Sequence, residues 1–181
     1  DSPHEPELAR ELLKRQEEDQ RLRTILTEAF ARLKPGETSV PMADVPEAEA
    51  LGNVDLRNTE FMKATLKEFG WPGISLVGRE ASAAAWLLVQ HADHDPEFQA
   101  EALELLTEAY GEGEATGQQV AYLTDRVRLK QGKKQVYGTQ FVGHGADARP
   151  APIEDELHVD IRRKEVGLPP LAEYARLFRP K

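Results

Sequence analysis

The chain contains no cysteine among its 181 residues. Disulfides, thiolate nucleophiles and thiolate metal ligands are therefore excluded. No apolar run approaches the roughly 20 residues that a membrane-spanning helix needs. Also missing are a GxSxG elbow, a phosphate-binding GxxxxGK[ST] loop and a GxGxxG turn after a strand, so several common enzyme classes lose their support. No signal peptide is visible, and a cytoplasmic protein is expected. The chain begins at Asp1 rather than at methionine, which leaves an exported form with its leader removed open.

What is present is acidic. The net charge is −9, a balance that repels a phosphate backbone, so no nucleic-acid partner is expected. The charge is also uneven. Residues 37–114 carry 16 acidic and 4 basic side chains, a local sum of −12. Residues 119–134 set Asp125 against Arg126, Arg128, Lys130, Lys133 and Lys134, a sum of +4. Such a basic segment suits either an anionic ligand or a solvated helix end complementing its own dipole.

Periodicity predicts a mainly α, single-domain helical bundle over 1–181. A long first helix is expected over about 6–34, with Leu8, Leu12, Leu22, Leu26 and Phe30 at helical spacing, followed by a flexible loop over about 35–52. A second helix is expected from Asn53 or Asp55 to Phe69, stopped by Gly70-Trp71-Pro72. Further helices are expected at 78–92, from Pro96 to about Tyr110, and over 117–131. The run 134–142 alternates Gln135, Tyr137, Thr139 and Phe141 with their neighbours, so it reads as a small β strand or hairpin. A short helix or an extended arm is expected at 155–165, and a final helix at 170–178.

The informative polar groups interrupt apolar faces. Gln16, Asp19 and Arg23 fill the middle of the first helix's leucine stripe, and Asp19 and Arg23 are four apart, close enough to pair. In the third helix, Ala81, Ala84, Ala85 and Leu88 form a small-residue face, and His91 continues it. An imidazole there is a candidate acid or base, with Asp93 or Asp95 as a partner, or else a capped helix end. His91 and His94 also invite a metal reading, but no second cluster has ligand spacing, so no metal ligands are assigned and any cofactor is unknown. Tyr122 and Arg126 are one helical turn apart. Tyr137 and Gln140 lie on the polar strand beside the basic run, where Gly138 marks a bulge or a close approach.

Glu18-Asp19-Gln20 with Arg23, Gly70-Trp71-Pro72, Gln90-His91-Ala92-Asp93, Asp125-Arg126, Gln135-Val136-Tyr137-Gly138-Thr139-Gln140 and Pro152-Ile153-Glu154-Asp155 occur in this order. So does a tail with Asp160-Ile161-Arg162-Arg163, Gly167-Leu168 and Glu173-Tyr174. Together these motifs resemble an uncharacterised bacterial family, the domain of unknown function numbered 6624, over about residues 8–178. The resemblance implies no established activity. It places weight on His91 and Asp93 rather than His94. It also implies that Asp19, Arg23, His91, Asp93, Asp125, Arg126, Tyr137 and Gln140 form one constellation.

Two functions are expected from these residues. One is an enzyme acting on a small polar or anionic substrate by hydrolysis or group transfer. In it His91 is the acid or base, Asp93, Asp19 or Asp125 its partner, Arg23 or Arg126 the charge clamp, and Tyr137 and Gln140 substrate contacts. The other is a binding, regulatory or immunity-type module whose polar motifs are structural and whose acidic 37–114 surface meets a protein partner.

Overall fold

In the computed structural model, residues 2–32, 46–143 and 145–178 are described. Residues 35–45 of the loop expected over 35–52, and the last two residues of the expected first helix, lie outside them. The protein is mainly α with one small two-stranded element, and its contacts divide it into two compact units, Asp1–Asp93 and His94–Lys181.

The first unit is built from α1 (Pro6–Ala31), α2 (Pro46–Phe69), a single turn α3 (Ile74–Val77) and α4 (Arg79–Gln90). Pro6 occupies the first turn of α1, where its missing N–H costs nothing. The second helix begins seven residues or more before the expected start. Pro46 opens it and Glu47 and Glu49 place negative charge in its first turn, against the positive end of the dipole. Residues 46–52, expected as loop with at most a short helical turn at 47–51, are thus the first turns of α2. The reason is packing: Leu51 and Val54 are buried against Leu22 of α1, with Leu26 alongside. Ala81, Ala84 and Ala85 on α4 are at most 2% exposed. Side chains that small let a neighbouring helix approach closely, and α1 packs on α4 as well as on α2. Leu12, Met62, Leu88 and Val89 complete the apolar interior.

The second unit starts with α5 (Pro96–Gly111) and α6 (Gly117–Lys130), packed on each other. Asp95 caps α5 by accepting from the Phe98 N–H. Thr116 and Gln119 form a reciprocal capping box at α6. A short antiparallel pair follows, β1 (Phe141–Val142) and β2 (Arg149–Pro150), in register Phe141 to Pro150 and Val142 to Arg149. α7 (Val159–Glu165) and α8 (Leu171–Ala175) close the unit.

The alternation over 134–142 therefore yields a strand only at its last two residues; before them Gln135 makes one isolated bridge to Ile153. The cause is Asp125 of α6, a carboxylate with no exposure. It accepts from the Val136 and Tyr137 N–H groups on one oxygen, at 2.7 and 3.0 Å. It accepts from the Thr139 N–H and hydroxyl on the other, at 2.9 and 2.8 Å. Three N–H groups converging on one side chain curl the backbone around it, which an extended strand cannot do. Gly138 makes the curl possible, with φ +68. The buried Gln135 side chain fastens the far end, donating to Gln140 O and Ala151 O and accepting from Gln140 N.

A Cβ on Gly138 would lie 2.8 Å from Ile153 Cδ1 and 3.0 Å from Leu171 Cδ1. Gly138→Ala thus combines a left-handed backbone penalty with overpacking. It should lower unfolding stability by about 2–4 kcal/mol in chemical denaturation. A loss below about 0.5 kcal/mol would contradict the described loop.

Candidate functional site

The first unit carries a cluster of four side chains from three helices. α1 presents Glu11, Arg15, Asp19 and Arg23, each one turn beyond the last, so that they form one polar stripe. Glu11 pairs with Arg15 at 2.7 Å. Arg15 reaches α2, donating to Asn58 Oδ1 at 3.1 Å and lying 4.1 Å over the Phe61 ring.

Asp19 is the centre of the cluster and is fully buried. Its carboxylate accepts from Arg23 Nε at 3.2 Å and lies 2.9 Å from His91 Nδ1. His91 is the C-cap of α4, so the end of the small-residue helix delivers the ring to the stripe on α1. Arg23 then continues to α2, where Nη2 donates to Asp55 Oδ1 at 2.7 Å. Asp55 keeps 20% of its side chain exposed and Arg23 keeps 31%. One guanidinium thus joins two carboxylates, with the imidazole alongside.

Two neighbours compete for Nδ1, and its hydrogen is assigned from their chemistry. Arg23 Nε is 3.0 Å from His91 Nδ1, so a bare Nδ1 would accept from it. That tautomer would, however, point the ring's lone pair at a carboxylate oxygen 2.9 Å away. Two facing acceptors repel, whereas an Nδ1–H donating to Asp19 makes a charge-assisted bond. The second tautomer leaves Nε2 as the ring's acceptor, and no bond to it is made among the described residues. The side chain is 17% exposed.

The two carboxylates are driven apart. Burial alone would raise Asp19, but hydrogen bonds and charge from His91 and Arg23 outweigh it and hold the group below its ordinary value. Burial raises Asp55, Arg23 only partly offsets it, and the neighbouring Asp19 charge adds to the rise. Opposite shifts in one site are the pattern by which one carboxyl stays ionised while another is available as an acid.

The expected constellation is divided between the units. Asp19, Arg23 and His91 meet in the first. Asp125, Arg126, Tyr137 and Gln140 meet in the second, around the 135–140 loop. There Arg126 Nη2 donates to Gln140 Oε1 at 3.4 Å, and Gln140 Nε2 donates to Thr139 Oγ1 at 3.0 Å. The Tyr137 carbonyl accepts from the buried Arg163 at 2.7 Å, and the Thr139 carbonyl from the Tyr174 hydroxyl at 2.9 Å. Burial, with the Asp125 charge, raises the Tyr137 phenol. Asp93 is exposed and is not among the groups that hold the His91 ring; that place belongs to Asp19. His94 is exposed as well. Sequence reasoning read Asp55 only as a helix cap and so missed it. Its signal was spacing: Leu51, Val54, Asn58, Met62 and Leu66 mark a buried α2 stripe, and Asp55 borders it one residue after Val54. The Asp19, Asp55 and His91 ligand atoms lie within 4.8 Å of one another, close enough to share one metal ion.

Asp19→Asn should cost roughly 2–3 kcal/mol at neutral pH, because it removes the charge that Arg23 and His91 face. Asp55→Asn should change stability by less than about 1 kcal/mol, since the ion pair it breaks is part-exposed and the burial cost of the Asp55 charge is relieved. The pH dependences run in opposite directions. A lowered Asp19 contributes fully above the ordinary value of 3.8 and loses its contribution as pH falls through the folded-state value. Wild type should therefore converge on Asp19→Asn in strong acid. A raised Asp55 means that wild type gains on Asp55→Asn as pH falls from neutrality toward 3.8. Denaturation curves of the three proteins from pH 7 to pH 2 check both signs.

A family model described as a family of unknown function matches residues 6–180. Comparison with curated proteins and with solved structures gives no match. The match spans nearly the whole chain and takes in both the His91 cluster and the Asp125 loop, and on it the chain belongs to the family of unknown function DUF6624.

Proposed function

We propose that the cluster on α1, α2 and α4 is an acid–base site for a small polar molecule. The observation that carries this is the His91 ring: Nδ1 is held 2.9 Å from a buried carboxylate, while Nε2 takes no bond from any described residue. Holding one ring nitrogen on a carboxylate sets the tautomer and orientation of the other, and stabilises the imidazolium that forms when Nε2 takes a proton. Asp19 is the positioning residue, His91 the base or acid, and Asp55, its pKa raised, a second proton donor.

Charge narrows the ligand. With both carboxylates ionised and the ring neutral, Asp19, Asp55 and Arg23 sum to −1. Arg23 gives Nε and Nη2 to carboxylates, so it is poorly placed to clamp an anion. A neutral or cationic polar substrate fits this balance better than an anionic one. Hydrolysis or group transfer without a covalent intermediate suits a site whose reactive group is an imidazole. Asp125 and Gln135 serve as scaffold in this reading, because their polar atoms are taken up mainly by the backbone of the loop they hold, and Gln140 is tied to the side chains of Arg126 and Thr139.

The test is a thermal-shift screen of wild type and His91→Gln with neutral amides, sugars and amines in one set and phosphates and carboxylates in another. A ligand at about 100 times its Kd stabilises by about 2.7 kcal/mol, a shift of several degrees. The expected result is a hit from the first set that is lost in His91→Gln and is then turned over with a pH dependence that Asp19→Asn alters. Hits confined to the anionic set, or hits that persist in His91→Gln, would overturn the reading.

A further inference from the structure

We infer that the same cluster is a divalent-cation site in which Arg23 holds the place of the ion. Asp19, Asp55 and His91 each offer one ligand atom, and the three lie within 4.8 Å of one another. One nitrogen and two carboxylate oxygens make a donor set suited to a borderline ion such as Zn²⁺, with Mn²⁺ a weaker fit by its lower affinity for imidazole.

Four observations support this. Arg23 already contacts all three ligand atoms' groups: Nε lies 3.2 Å from Asp19 and 3.0 Å from His91 Nδ1, and Nη2 lies 2.7 Å from Asp55. A cation is therefore held at the point where the donors converge. Next, His91 closes α4, whose last turn carries no basic residue, so the negative end of a helix dipole adds to the field of the two carboxylates. Third, Arg23 retains 31% exposure; its long side chain can withdraw into water and leave the three donors in place. Last, Asn58 is 3% exposed and its Nδ2 has no partner among the described residues. It stands one turn beyond Asp55 on α2, its oxygen bonded to Arg15 of α1, in the seam that holds the cluster. A buried amide donor without a partner is one that a water held in this seam would satisfy.

Binding needs a modest rearrangement. Zinc bonds to nitrogen and oxygen are about 2.0–2.2 Å, so the donors must draw closer than the 4.8 Å limit. Asp55, part-exposed on α2, is the group free to move. His91 must take the tautomer that carries its hydrogen on Nε2, which leaves Nδ1 bare for the ion. This inference goes beyond the acid–base reading and is separable from it, since its test involves no substrate.

The experiment is calorimetric titration of the full chain with ZnCl₂, with MnCl₂ in parallel. One Zn²⁺ per chain is expected, bound more tightly than Mn²⁺. Affinity should fall at least tenfold in Asp55→Asn and in His91→Gln, and rise at least tenfold in Arg23→Gln, where the competing cation is gone. Circular dichroism of each variant checks the fold, and Asp55→Asn suffices if His91→Gln does not fold. Failure of wild type to bind Zn²⁺, or binding unchanged in Asp55→Asn, would overturn the inference. The second result would place the ion on the acidic surface instead.

Discussion

A carboxylate with no exposure to water governs the first unit. Removing Asp19 from solvent is costly unless charge and hydrogen bonds replace the lost hydration. The replacement comes from two directions, Arg23 one turn further along α1 and His91 at the end of α4. Each partner constrains its own helix. Arg23 extends to Asp55 and so ties α1 to α2, while His91 fixes where α4 must end. The small residues of α4 let α1 come near, and the ion-paired cluster sets the register in which it does so.

The second unit has a buried carboxylate of its own, and the contrast is instructive. Asp125 is satisfied by three backbone N–H groups and one hydroxyl. Those donors cannot titrate and do not leave, so the group shapes a loop. Asp19 is satisfied by side chains that are themselves titratable or part-exposed, so its surroundings can exchange protons and admit a ligand. Two residues of one type, equally buried, acquire different capacities from the donors they face.

Much of the helical order was legible because it depends on spacing and punctuation. Pro6 and Pro96 marked helix starts, and the polar interruption of the α1 stripe at Asp19 and Arg23 pointed to a pairing of the two. His91 was visible as a polar continuation of an apolar face. Its partner was not, because Asp93 is near in sequence while Asp19 is 72 residues away, and only tertiary packing selects between them. Asp55 looked like a cap because its acidic side chain sits where a second helix plausibly began; the true start at Pro46 depends on burying Leu51 against Leu22, a long-range contact. The 134–142 alternation misled for a related reason. Period two describes side chains, whereas the curl over 136–139 is imposed on backbone N–H groups by one distant carboxylate.

Nitrogen-15 NMR of the His91 ring tests the central claim most directly, because the tautomer reports which neighbour holds Nδ1. In the neutral ring the account predicts hydrogen on Nδ1, with a deshielded proton shared with Asp19, and an unprotonated Nε2. Hydrogen on Nε2, with Nδ1 bare and accepting from Arg23 Nε, would contradict it, since the nitrogen assigned to substrate would then be a donor and Asp19 would not orient the ring.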